Sequence, residues 1–76
     1  MYALVEIKGQ ETKVNVYNNK QDIAEEMIRR YNNKVKEAKS IYWKNTYFEE
    51  ENMYAKIDDL TEIVELRVTE IDIGEG

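Results

Sequence analysis

Between Arg29 and Lys44 the chain sets six cations (Arg29, Arg30, Lys34, Lys36, Lys39 and Lys44) against one acid, Glu37, and interleaves Tyr31, Tyr42 and Trp43. Cations beside aromatic planes suit phosphate groups and stacked bases. On that chemistry Arg29, Arg30, Lys34, Tyr42 and Trp43 would hold a nucleotide, and a homo-oligomer of such chains would sequester a signalling nucleotide. The competing explanation is structural. Lysines collect at helix C-termini, where they complement the helix dipole, and Tyr31 and Trp43 would then belong to the core.

A second set is acidic. Glu49, Glu50, Glu51, Asp58, Asp59 and Glu62 begin a run of carboxylates that continues through Glu65, Glu70 and Asp72. Residues 1–48 carry nine basic and six acidic groups, a balance of +3, whereas residues 49–76 carry two basic and ten acidic groups, a balance of −8. Carboxylates spread over adjoining loops imitate the phosphate track of a nucleic acid and steer association with a basic groove on a partner. The same charges also serve to solubilise a small protein with exposed edge strands.

Other chemistry is thinly supplied. The chain has no His and no Cys, which removes thiolate zinc sites, cysteine catalysis and the commonest general base. Asp58-Asp59 with Glu62 lacks the glycine-punctuated frame of a calcium loop, so no metal and no other cofactor is expected. Nothing selects a catalytic pair among 16 acids, and the expectation is a non-enzyme. No apolar run approaches membrane-span length and the N-terminus lacks a signal-peptide pattern, which gives the expectation of a cytoplasmic protein without membrane contact.

The elements that must position these residues follow from periodicity. Ala24, Ile28, Tyr31, Val35 and Ala38, widened by Ile23 and Met27, fall on one face of an amphipathic helix over residues 19–39. Asn19 is its expected N-cap, Asp22, Glu25 and Glu26 fill its first turns, and Glu25–Arg29 and Glu26–Arg30 pair along it. Before the helix, Tyr2–Lys8 and Thr12–Tyr17 alternate around Gly9-Gln10-Glu11 as a hairpin, with Ala3, Val5, Ile7, Val14 and Val16 expected to face inward. After it, a strand is expected from Ser40 through Phe48. A second carries Met53, Ala55 and Ile57, and a third carries Val64, Leu66 and Val68 with a phase slip before Ile71 and Ile73.

The predicted architecture is a single α+β domain over residues 1–76, of order ββαβββ, with the helix on one face of an antiparallel sheet. Its second face would then carry Tyr2, Leu4, Tyr17, Tyr42 and Tyr54, a surface for self-association or for a partner.

Lys, Asn, Ile and Tyr, whose codons are rich in A and T, supply 29 of the 76 residues and suggest an AT-rich genome. The opening MYALVEIKGQETKVNVYNN hairpin, the Glu/Lys/Tyr-rich helix and the acidic tail strands resemble short proteins of bacteriophages and mobile elements, among them anti-CRISPR and other anti-defence proteins. The resemblance lies in size, charge and layout. It implies a stoichiometric binder that inhibits a host defence or nucleic-acid-handling protein through acidic and aromatic contacts. A sponge for a nucleotide and a homodimeric structural or regulatory subunit are the alternatives, and a homodimer or larger homo-oligomer is expected.

Overall fold

Gly9 takes φ +60° while Gln10 does not share a positive φ, the geometry of a two-residue II′ turn, and only glycine enters that first position without strain. The turn joins β1 (Tyr2–Lys8) to β2 (Glu11–Tyr17), paired in register from Lys8 opposite Glu11 to Tyr2 opposite Tyr17. In this computed structural model, which describes residues 1–71, β2 leads into α1 (Lys20–Glu37). The Asn19 side chain caps α1 by accepting from the Asp22 amide at 2.8 Å. A single 3₁₀ turn (Trp43–Asn45) follows, then β3 (Tyr47–Glu49), β4 (Tyr54–Asp58) and β5 (Ile63–Glu70).

The five strands form one antiparallel sheet in the order β2-β1-β5-β4-β3. The α+β class and the ββαβββ order therefore stand as expected from the sequence. The helix connects one edge of this sheet to the other across a single face. Leu4, Ile23, Met27, Ala55 and Leu66 are fully buried there, and Tyr2, Tyr17, Tyr31, Phe48, Met53 and Val68 pack around them. Tyr31 meets Phe48 edge-on with ring centroids 5.5 Å apart, an arrangement that adds to the burial of both rings.

The structure corrects several local expectations. Residues alternate between the faces of a strand, so Leu4 at the core puts Tyr2, Glu6 and Lys8 on the helix side and Ala3, Val5 and Ile7 on the other. Through the register, Tyr17 joins the helix side while Val14 and Val16 face away. The phase expected for the hairpin is thus inverted. On α1 the buried line runs through Ile23 and Met27, and Ile28 is exposed. Glu26 receives both Arg29 and Arg30, while Glu25 accepts from Gln21. Residues 40–46 hold the 3₁₀ turn instead of a strand, and β3 begins only at Tyr47. Thr46 closes that turn: its Oγ1 donates to the Tyr42 carbonyl at 2.9 Å and accepts from the Asp58 amide at 2.9 Å. In β4 and β5 the expected faces hold, with Ala55, Ile57, Val64 and Leu66 buried. β5 runs on to Glu70, and the expected Ile73 position and the tail lie outside the described residues.

Candidate functional site

The acidic positions separate into two groups. Glu49 ends β3 and leads Glu50 and Glu51 into the β3–β4 turn, whereas Asp58 ends β4 and leads Asp59 and Glu62 into the β4–β5 turn. These turns lie at opposite ends of β4, whose five residues span about 17 Å at ~3.3 Å per residue. The second group is also engaged. Asp59 Oδ1 accepts from the Thr61 amide and hydroxyl and from the Glu62 amide at 2.9, 2.7 and 2.8 Å. Asp58 accepts from Asn45 Nδ2 and from the Leu60 amide, and Glu62 pairs with Lys8 at 3.3 Å. The backbone donors of the turn hold the Asp59 carboxyl below its ordinary range, and the Asn45 amide does the same for Asp58. These carboxylates shape a turn in which Leu60 stands at φ 74°. Among the described residues no group of three or more His, Cys, Asp or Glu side chains converges on a common metal position.

The basic-aromatic set is divided as well. Arg29, Arg30 and Lys34 line a shallow depression between α1 and the β1–β2 hairpin, together with Glu6 and Glu26. Glu6 is a buried carboxylate, and it meets Arg30 Nη1 and Lys34 Nζ at 3.3 Å each. Glu26 meets Arg30 Nε at 2.7 Å and Arg29 Nη2 at 2.6 Å, and the two guanidinium groups hold its carboxyl below the usual value. The cations are thus committed to acids within the fold. Tyr42 and Trp43 do not line that depression: Tyr42 donates its amide to the Asp58 carbonyl at 2.8 Å, beside the β4–β5 turn. The five residues expected to share a nucleotide are not brought together.

The expected aromatic face is corrected in the same way. Tyr2, Leu4 and Tyr17 lie on the helix-covered side, Tyr42 precedes the 3₁₀ turn, and Tyr54 alone of the five occupies the uncovered side of the sheet. The uncovered face has a different make-up. Its β1–β2 half is aliphatic: Val14 and Val16 are 57% and 54% exposed beside Val5 and Ile7. Its β5–β4 half is polar and aromatic, with Ile63 exposed at its margin.

That second half is internally braced. Tyr54 Oη donates to Glu65 Oε1 at 2.9 Å, and Arg67 Nη2 reaches the same oxygen at 2.9 Å. The Arg67 guanidinium carbon stands 5.6 Å from the Tyr54 ring centroid, and Tyr47 lies 5.9 Å from it. Burial, then the bond to Glu65, pushes the Tyr54 phenol up to about 12. Arg67, then Tyr54, holds Glu65 below the ordinary glutamate range. At neutral pH the cluster therefore offers a fixed anion, a fixed cation and an aromatic plane. It is suited to recognition, since none of the three changes protonation near pH 7.

Arg67 was not singled out by sequence reasoning, Glu65 entered only as part of the acidic run, and Val14 and Val16 were expected to face inward. The available signal was Val64-Leu66-Val68: those residues claim the helix side of β5, which sends Ile63, Glu65 and Arg67 to the other.

Compared with protein-family profiles, with curated proteins and with solved structures, the chain matches none of them. No helix among the described residues is long and apolar enough to cross a membrane.

Proposed function

We propose that this chain is a non-catalytic binding protein whose contact surface is the uncovered face of its sheet. The observation that carries the reading is the exposed Val14–Val16 row, continuous with Val5 and Ile7 and flanked by the braced Tyr54–Glu65–Arg67 cluster. Contiguous apolar surface rimmed by fixed charge is characteristic of protein contact sites. The occupant is a protein with an apolar patch and complementary rim charges. The role that the resemblance to phage and mobile-element proteins supports is stoichiometric inhibition of a host defence or nucleic-acid-handling protein. The acidic turns serve as rim charge and as steering, since Asp58 and Asp59 are already engaged.

Affinity enrichment from the organism that carries the gene tests this, using wild type, Val16→Asp with Ile63→Asp, and Glu49/Glu50/Glu51→Lys. A protein retained by wild type should be lost with the first variant and kept, with weaker salt dependence, by the second. Retention by the open-face variant together with loss in the acid-reversed one would return the site to the β3–β4 turn.

A further inference from the structure

The two edges of the sheet are treated differently. β3 is three residues long, ends in Glu49 and adjoins Glu50 and Glu51, two devices that keep an edge from pairing. β2 is seven residues long and exposed from Glu11 to Val16, and it contains no proline. The II′ turn makes Lys8–Glu11 a hydrogen-bonded pair, so Glu11, Lys13, Asn15 and Tyr17 spend their backbone groups on β1. The amides and carbonyls of Thr12, Val14 and Val16 consequently point outward along the edge.

We propose that β2 is a homodimerisation edge, pairing antiparallel with β2 of a second copy about a two-fold axis at Val14. In this register Val14 stands opposite Val14 of the second copy and Thr12 opposite its Val16. All three outward-pointing residues of each strand then find hydrogen-bonded partners. The full length of β2 is used, and side chains match on both faces. On the open face the valines meet valine and threonine, the β-branched pairing that stabilises antiparallel strands. On the helix side Lys13 stands opposite Asn15 and Glu11 opposite Tyr17, so no like charges are placed directly across the seam. A register one residue earlier would set Lys13 against Lys13, and this selects against it. The symmetry is the commonest one for soluble oligomers, with one patch used by both copies.

Pairing would join two five-stranded sheets into one of ten strands and bring the two Val14–Val16 rows together in a single aliphatic band. The dimer requires no other partner and stands independently of the reading proposed for the open face.

Sedimentation over a concentration series, combined with amide exchange, tests the edge. Wild type should move from 9.1 kDa toward twice that mass, with exchange of the Thr12, Val14 and Val16 amides slowing as the dimer forms. Val14→Lys, at an exposed position that the core does not use, sets two cations on the axis and should shift dissociation to at least ten-fold higher concentration (about ten-fold in Kd). Val14→Pro removes an outward donor without touching the β1–β2 ladder and should abolish dimerisation while keeping the circular dichroism spectrum. A wild type that stays monomeric to about 1 mM overturns the proposal. So does a dimer whose Thr12, Val14 and Val16 amides still exchange freely, since that dimer would be built on the face of the sheet.

Discussion

Replacing Glu6 with Gln measures what a buried charge contributes to holding α1 on the sheet. Glu6 comes from β1, an interior strand of the sheet, and its two carboxylate oxygens reach Arg30 and Lys34 on α1 at 3.3 Å each. Hydrogen bonds to charged groups contribute about 1.5–3 kcal/mol at good geometry. These two are longer than the ~2.7–2.9 Å optimum for charged pairs, and Arg30 and Lys34 keep contact with solvent, so each is discounted to about 0.5–1 kcal/mol. Arg30 is not orphaned by the change, because Glu26 Oε2 at 2.7 Å and Asn15 Oδ1 at 3.0 Å still receive it. Gln keeps the shape and one acceptor while relieving the desolvation of a carboxylate, which works in the opposite direction. The two losses total about 1–2 kcal/mol, which the relieved desolvation cuts to a net of about 0.5–1.5 kcal/mol, or about 2–12 °C in Tm for a domain of this size. Urea and thermal unfolding at pH 7, followed by far-UV circular dichroism, give the value. A cycle with Arg30→Met should return a coupling of about 1 kcal/mol. A Gln variant as stable as wild type would show that desolvation cancels the pairing, and zero coupling would locate any loss in packing alone.

Three further outcomes follow from the same geometry. Tyr54 should ionise only near pH 12 in an ultraviolet titration, because its phenol is half-buried and bonded to Glu65. Its raised value stabilises the fold fully below about pH 10 and is lost as pH rises toward 12, so Tyr54→Phe should flatten that alkaline limb. Leu60→Gly should raise stability by about 0.5–1 kcal/mol, because relief of a left-handed residue costing ~1–2 kcal/mol outweighs glycine's added chain entropy; a fall in Tm would contradict this. For Asp59, whose value is depressed by turn donors, stabilisation is present above the ordinary Asp range and is lost as pH falls through the depressed value. Asp59→Ala should therefore lower Tm at pH 7 and converge with wild type as the pH falls below the depressed Asp59 range, a convergence that ordinary loss of packing would not produce.

Local signals carried much of the architecture. Gly9 between two alternating runs marked the hairpin, Asn19 marked the start of α1, and Ala55-Ile57 and Val64-Leu66 marked the buried sides of β4 and β5. The phase of β1 was not legible because both of its faces are apolar: Tyr2 and Leu4 compete with Ala3, Val5 and Ile7. Glu6 tipped the reading the wrong way. A carboxylate counts as outward-facing until two cations, Arg30 and Lys34, are brought over it from an element 24 residues away. The stretch from Ile41 to Trp43 read as strand on composition, yet Thr46 and Asp58 hold the Tyr42 backbone at the entry to a 3₁₀ turn that begins at Trp43, an arrangement that depends on tertiary contacts. The charged sets are dispersed because contiguity in sequence is not contiguity in space: helix rotation and strand reversal send neighbouring charges to different sides of the molecule. The aromatic set is dispersed by the inverted phase of the hairpin.

The first and last strands meet in the middle of the sheet. β1 pairs with β5 from Tyr2 opposite Glu70 to Lys8 opposite Val64, and the Ile71 amide donates to the Met1 carbonyl at 2.8 Å. A chain emerging from a ribosome can form its hairpin and helix early, but the central seam waits until nearly all of the described residues have been released. Until then the helix side of β1 and the apolar line of α1 lack Ala55 and Leu66, which complete their core. Pairings so distant in sequence also slow folding, because the intervening loop must be closed before its contacts stabilise anything. The nascent chain should therefore remain sensitive to proteases until synthesis has passed Glu70, and then acquire resistance in one step.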